Sequence, residues 1–205
     1  MDTILNTKER IFDTFIEMTS AIGYENVTTR DIAGKIGINP ASIYYHFESK
    51  DKILEYAYEY YQTYMFENRM PLDEMKKFIE TADAKEIIPN ICYNFESTDQ
   101  QKYVRMILIT KIVFMRLFQD PLANAIFTLN NVNNAERVID ILKHGIEIGR
   151  IDPGFDIETF ADLLIGAIAI MGIKAFASAD YQVSQLEQEK RILELLTRLL
   201  STALI

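Results

Sequence analysis

Groups able to do acid–base or nucleophilic chemistry are scarce in this 205-residue chain, which has two histidines, His46 and His144, and a single cysteine, Cys92. Asp140 and His144 are four residues apart, so the two side chains can meet on one helix face. No serine or cysteine nearby completes a nucleophilic arrangement, and a surface contact is the ordinary role of such a pair. One cysteine excludes an internal disulfide or a multi-cysteine metal site and reads as a free, buried thiol. There is no glycine-rich phosphate loop, no H-E-x-x-H and no calcium-loop spacing. Glu80, Asp83 and Glu86 read as a solvated face. The pattern speaks against an enzyme and calls for neither cofactor nor metal. A different chemistry is concentrated near the start of the chain, where Thr28, Thr29, Arg30, Asn39, Ser42, Tyr44, Tyr45, His46 and Lys50, with the small Ala41 among them, gather hydrogen-bond donors suited to anionic partners.

The elements that must position these residues are helical. The chain is 49% hydrophobic and 25% charged, enough to bury a core and without a disordered bias. Ile11, Phe15, Met18 and Ile22 fall on one helical face, and Gly23 can end that helix in the left-handed conformation. Thr28 can cap the next helix with Asp31 at its third position, while Val27 and Ile32 form a hydrophobic staple. That helix should end near Gly37. Asn39 caps a further helix with Pro40 first, where a missing N–H costs nothing, and Ile38 with Ile43 makes a second staple. Ser49 can cap a third helix, with Asp51 in its first turn. Two short helices, Thr29–Ile36 and Pro40–Phe47, joined by a tight glycine-containing turn, match the helix-turn-helix arrangement. The net charge of −9 argues against nucleic acid, but distribution decides such questions. Between Asn26 and Lys52 four basic residues meet three acidic ones, so this segment is mildly positive within an acidic protein.

Thr28-Thr29-Arg30-Asp31-Ile32-Ala33, then Gly37, then Ser42-Ile43-Tyr44-Tyr45-His46-Phe47-Glu48-Ser49-Lys50 resembles the DNA-binding signature of TetR-type transcription regulators. Farther on, Gly145-Ile146-Glu147-Ile148-Gly149-Arg150-Ile151-Asp152-Pro153, followed by Asp156, is similar to a recurrent segment of that family's C-terminal domain. Pro40 and Glu48 stand where the family often carries basic residues, which removes positive charge near DNA. The resemblance implies an all-α protein: a three-helix helix-turn-helix domain over 1–49, then a larger helical effector-binding and dimerisation domain over 50–205. A recognition helix lies in the major groove while flanking elements grip phosphates. Ala41, Ser42, Tyr44 and Tyr45 should face outward, with Ile43 and Phe47 inward. Tyr44 and His46 can donate to phosphates and Ser42 to a phosphate or a base edge. The helix N-termini at Thr29 and Lys50 suit anions.

The rest of the chain is helical, with breaks expected near Pro71, Pro89, Pro121, Pro153 and Asp180. Ile53–Phe66 reads as the connector. Tyr103–Phe118 is apolar around most of its circumference and should be central to the second domain. Lys111 lies on the stripe of Val104, Ile107, Leu108, Met115 and Phe118, where it either snorkels to water or meets an acid. Candidate effector contacts are Tyr93, Tyr103, Lys111, Phe114, Met115, Phe118, Phe127 and His144, whose aromatics and methionine suit a largely apolar ligand or simply pack a core. Asp156 should cap one of the last two helices, stapled by Phe155 and Phe160, and Ser184 with Glu187 should cap the other. The resemblance implies that these two helices from each subunit form a homodimer bundle, with Leu163, Ala169, Gly172, Leu193, Leu196 and Leu200 at the interface. Twofold symmetry would then ask for an inverted-repeat operator in double-stranded DNA. Repression relieved by a small molecule is the expected activity; the alternative is a DNA-binding adaptor whose second domain recruits a protein and takes no effector. No secretory leader is expected, and Leu163–Ile173, the longest uncharged apolar run, is too short to span a membrane, so a cytoplasmic protein without a membrane partner is expected.

Overall fold

The computed structural model describes residues 6–67, 69–93, 99–177 and 184–205, without the side chains of 92, 93, 172–177 and 184–189. Among them are α1 (Thr7–Ile22), a 3-10 turn (Tyr24–Asn26), α2 (Thr29–Ile36), α3 (Pro40–His46), α4 (Lys50–Glu67), α5 (Leu72–Ile79), α6 (Ala84–Tyr93), α7 (Gln100–Arg116), α8 (Pro121–Glu147), α9 (Ile157–Ala177) and α10 (Ser184–Ala203). Among the described residues the only β pairing is an isolated antiparallel bridge between Ile151 and Leu204. No described helix is long and apolar enough to cross a membrane. The all-α fold is the expected one.

The chain forms two compact units, Met1–Glu67 with Ser97–Phe127, and Asn68–Glu96 with Thr128–Ile205. This division differs from the expected boundary after residue 49, because α4 and α7 pack with α1. In the first unit α1 buries Ile11, Phe12, Phe15 and Ile16, whereas Ile22, expected on that face, is exposed. The helix stops at Gly23, whose φ of 87° is positive as expected but whose ψ of 152° lies outside the left-handed helical region. α4 contributes Ile53, Leu54, Ala57, Tyr58, Tyr61 and Tyr64, and α7 adds Ile109, Ile112 and Val113.

The position of α7 corrects the expectation that Tyr103–Phe118 sits at the centre of the second domain. Its buried face is not the Val104–Phe118 stripe but the one carrying Arg105, Ile109 and Ile112, while Val104, Met115 and Phe118 are exposed. Arg105 can turn inward because α1 supplies its partners: Nε donates to Asp13 Oδ1 at 2.6 Å, and Nη2 to Asp13 Oδ2 at 2.9 Å and Glu9 Oε2 at 2.8 Å. A buried guanidinium so paired is held rather than expelled.

The second unit packs α5, α6, the later part of α8, α9 and α10 around Met75, Ile79, Ile87, Ile88, Ile141, Leu142, Leu164 and Leu200. Pro89 does not break α6 but lies inside it. An interior proline costs about 3 kcal/mol; fully burying Ile87 and Ile88 gains roughly 1.5–3 kcal/mol each and outweighs it. Pro71 precedes α5, Pro121 opens α8 and Pro153 separates α8 from α9, as expected, while Asp180 lies outside the described residues. Asp83 and Glu86 are not merely solvated, since Glu86 Oε2 accepts from Asp83 N–H and Asp83 Oδ1 from Lys85 N–H, both at 3.0 Å, capping α6. After α8 the chain turns at Gly149 (φ 74°), and Ile151 passes so close to Gly145 that a Cβ there would lie 2.6 Å from its Cδ1. Asp156 caps α9 through Thr159 N–H at 3.0 Å, and the Phe155 and Phe160 rings stand 5.3 Å apart. The Ser184–Glu187 pair lies outside the described side chains.

Candidate DNA interface

The geometry of α2 and α3 is set locally. Thr28 Oγ1 accepts from Asp31 N–H at 3.2 Å and Asp31 Oδ2 from Thr28 N–H at 3.0 Å, a complete capping box. The hydroxyl and amide of Thr28 hold the Asp31 carboxyl below its ordinary value. Val27 and Ile32 are both fully buried, closing the staple. Gly37 adopts left-handed φ 72° and ψ 36°, and Ile38 N–H returns to Ala33 O at 3.0 Å, so α2 ends where α3 must begin. Asn39 Oδ1 accepts from Ala41 N–H at 2.9 Å with Pro40 at the first helical position. Arg10 of α1 covers the end of α2, donating to Ile36 O at 2.7 Å.

With Ile43 and Phe47 buried, the other faces of α3 point outward. Tyr45 is 87% exposed; Tyr44, Ala41, Asn39 and Arg30 are exposed, and Ser42, Thr29 and His46 half-buried. Thr29 Oγ1 and Tyr44 OH approach to 3.3 Å, and the Tyr45 ring stands edge-on to His46 at 5.2 Å. An open cleft of about 560 Å³ on this side is lined by Thr7 of α1 together with Asn39, Ala41, Ser42, Tyr45 and His46. Thr7 was not singled out from sequence; its place follows from how α1 crosses α3. Lys50 is employed differently from a freely extended phosphate ligand. Its Nζ donates to Tyr24 O and Val27 O, each at 2.9 Å, and lies 3.9 Å from the Tyr24 ring centroid. One of its three N–H bonds is left for an anion.

A second anchor fixes the turn before α2. Arg116 Cζ lies 4.2 Å from the Tyr24 ring centroid, and the guanidinium donates to Glu25 Oε1 at 3.2 Å and Asp120 Oδ2 at 3.1 Å. Tyr24 OH bonds Asp51, and burial with that bond pushes the phenol far up. Tyr58 OH reaches Asp120 Oδ2 at 3.0 Å. Burial alone would raise the Asp120 carboxyl, but its bonds from Arg116 and Tyr58 outweigh that and hold it below its ordinary value.

The expected effector residues are not gathered in one place. Tyr103, Lys111, Phe114, Met115, Phe118 and Phe127 belong to the first unit and His144 to the second; the Tyr93 side chain lies outside those described. Phe118 is 92% exposed, Tyr103 and Met115 are exposed, and Lys111 is half-buried. Phe114 and Phe127 stack edge-on at 5.3 Å. His144 does not turn to Asp140: Nε2 is 3.5 Å from Glu80 Oε1 and Nδ1 3.9 Å from Glu147 Oε2. Among the described residues no cluster of His, Cys, Asp and Glu could hold a metal.

The expected dimer residues divide by helix face. Leu196 is 4% and Leu200 0% exposed, and both belong to the second unit's own core with Leu193 packed against it. The apolar residues left outside are Leu195 (58% exposed) and Leu199 on α10 and Leu163 and Ile170 on α9. Ala169 is half-buried, and Gly166 faces open space. The Gly172 position lies outside the residues whose surroundings are described.

Residues 11–57 match the family described as bacterial regulatory proteins, tetR family. The biofilm operon icaADBC HTH-type negative transcriptional regulator IcaR of Staphylococcus aureus is 31% identical over 99 residues, 48% of this chain and 50% of that protein. Its Staphylococcus epidermidis counterpart is 32% identical over 65 residues, 30% of this chain and 35% of that one. The matched region thus spans about half the length of the first of these relatives. Among solved structures, a SmeT–triclosan complex has a TM-score of 0.64 at 14% identity, covering 95% of this chain and 91% of its own. FadR of Bacillus subtilis with stearoyl-CoA has a TM-score of 0.59 at 19% identity, covering 92% and 97%. At such identities the likeness is one of fold. Residues 11–57, which hold the capped helix-turn-helix, are thus similar to the tetR family of bacterial regulatory proteins, and the all-helical fold is shared with the solved structures compared.

Proposed function

We propose that the protein is a sequence-specific, homodimeric DNA-binding transcription regulator of the cytoplasm, a repressor that leaves its operator when a largely apolar small molecule binds. The observation that carries the reading is the presentation of α3. Tyr44 and Tyr45 stand in solvent on a helix capped at both neighbours and anchored by Ile43. Large aromatic side chains held out by a rigid scaffold suit recognition rather than folding. Ser42 and Tyr45 would read base edges, with Thr28, Thr29, Arg30, Tyr44, His46 and the free N–H of Lys50 on phosphates. The exposed apolar residues of α9 and α10 support a dimer, whose twofold axis would set two copies of α3 on an inverted repeat. Repression is supported by the negative regulators among its relatives, and an effector by the ligands named with structures of the same fold. Phe114 and Phe127 offer apolar contact area, and His144 a polar one.

The test couples two measurements. A compound that raises the melting temperature is found first, and operator affinity is then measured with and without it. Ligand and DNA must weaken each other's binding by the same factor. An operator affinity unchanged at saturation would exclude induction by that compound.

A further inference from the structure

One guanidinium in the second unit lacks the acid that such a group ordinarily requires. Arg137 on α8 is half-buried, and the hydrogen bond described for it goes to the Met70 carbonyl just before α5. A guanidinium carries five N–H donors, so most are left over. Among the described residues no carboxylate forms an ion pair with it. Glu136 and Asp140, the acids nearest along α8, are exposed. Burial and the positive charge of Arg69 both act against the cation and push Arg137 below the ordinary arginine range. Contrast Arg105, more deeply buried, which has two carboxylates at 2.6–2.9 Å.

The residues along the same helix face repeat the pattern. Asn134 is three residues before Arg137 and Asn130 four before that, the spacing of neighbours on one face. Asn130 Nδ2 is buried with no hydrogen-bond partner, an arrangement that is unfavourable if left so. Apolar Val138 and Ile141 flank this face, in a core against which Met70, Leu72 and Ala135 also pack. A row of unspent donors with excess positive charge beside apolar side chains is the complement of an oxyanion on an apolar body.

From this we propose that Arg137, with Asn130 and Asn134, forms the anchor for the oxyanion head of a small molecule, a carboxylate or a phosphate, whose apolar part lies along the second unit's core. This rests on the ligand-responsive reading above and narrows the effector to an acid. A fatty carboxylate and a phosphate share the recognising chemistry.

The test uses the full-length protein and three probes: decanoate, inorganic phosphate, and decanol as the uncharged match to decanoate. Melting temperature and operator affinity are read separately. Decanoate, phosphate or both should raise the melting temperature of the wild type, with decanol doing less. Arg137→Gln should weaken the anion's binding at least about tenfold, the loss expected for one charge-assisted pair. Because Arg137→Gln also disturbs the Met70 carbonyl, a second variant is used. Asn134→Asp places a carboxylate one turn from Arg137, so it should raise the melting temperature without ligand and abolish the anion's shift. Equal shifts with decanol and decanoate, indifference to both variants, or no shift with any probe would each overturn the anchor. Binding abolished by the variants but without effect on operator affinity would uphold the anchor and refute the effector reading; decanol that releases DNA from both wild type and Arg137→Gln would do the reverse.

Discussion

At the scale of single residues, the interface separates groups that position from groups that read. Arg30→Ala, removing an exposed charge, should weaken binding to all sequences alike and lower the salt slope by about 1. Tyr45→Ala should instead alter the preference between sequences, which a competition titration with unrelated DNA would show. Lys50 behaves as both. Lys50→Met leaves the Tyr24 and Val27 carbonyls without their donor, so it should cost about 1–3 kcal/mol of stability, read from denaturant unfolding, before any loss in DNA binding. Asp120 supplies a pH dependence. Its folded value lies below the ordinary 3.8, so its contribution is fully present above that pH and is lost as pH falls through the folded value. Asp120→Asn should therefore lower stability at neutral pH and flatten the acid limb of the stability curve below about pH 4.

At the scale of elements, what was legible in the sequence was local. The start of α2 at Thr29, its end before Gly37 and the start of α3 at Pro40 depend on caps and staples within four residues of one another, and all stand as read. Thr28→Ala should cost about 1 kcal/mol. What could not be read was pairing across the chain. The buried face of α7 is chosen by Glu9 and Asp13, more than ninety residues earlier, and a helix apolar around most of its circumference does not say which side is buried. Ile22 is exposed and Leu196 lies in the second unit's own core for a related reason: a helix stripe wider than one contact does not say which part meets its own core. Arg105→Ala strands two carboxylates and should cost about 3 kcal/mol, loosening α7 from α1. Measured by hydrogen exchange, the loss of protection should concentrate in those two helices.

At the scale of the whole molecule, the account needs two chains for one operator. A charge at Leu195 or Leu199, exposed on this chain, should yield a folded monomer in sedimentation, whereas the same change at Leu196, within the core, should unfold the second unit. Monomerisation should weaken operator binding far more than it weakens binding to random DNA, because the two half-sites would no longer be held together. The most direct measurement is selection of bound sequences from a random DNA library by the wild-type protein, with Tyr45→Ala beside it. The account predicts enrichment of one inverted repeat by the wild type and its loss or alteration in the variant. Selection that enriches no sequence, or the same sequence with Tyr45 removed as with it present, would contradict the assignment of α3 as the element that reads DNA.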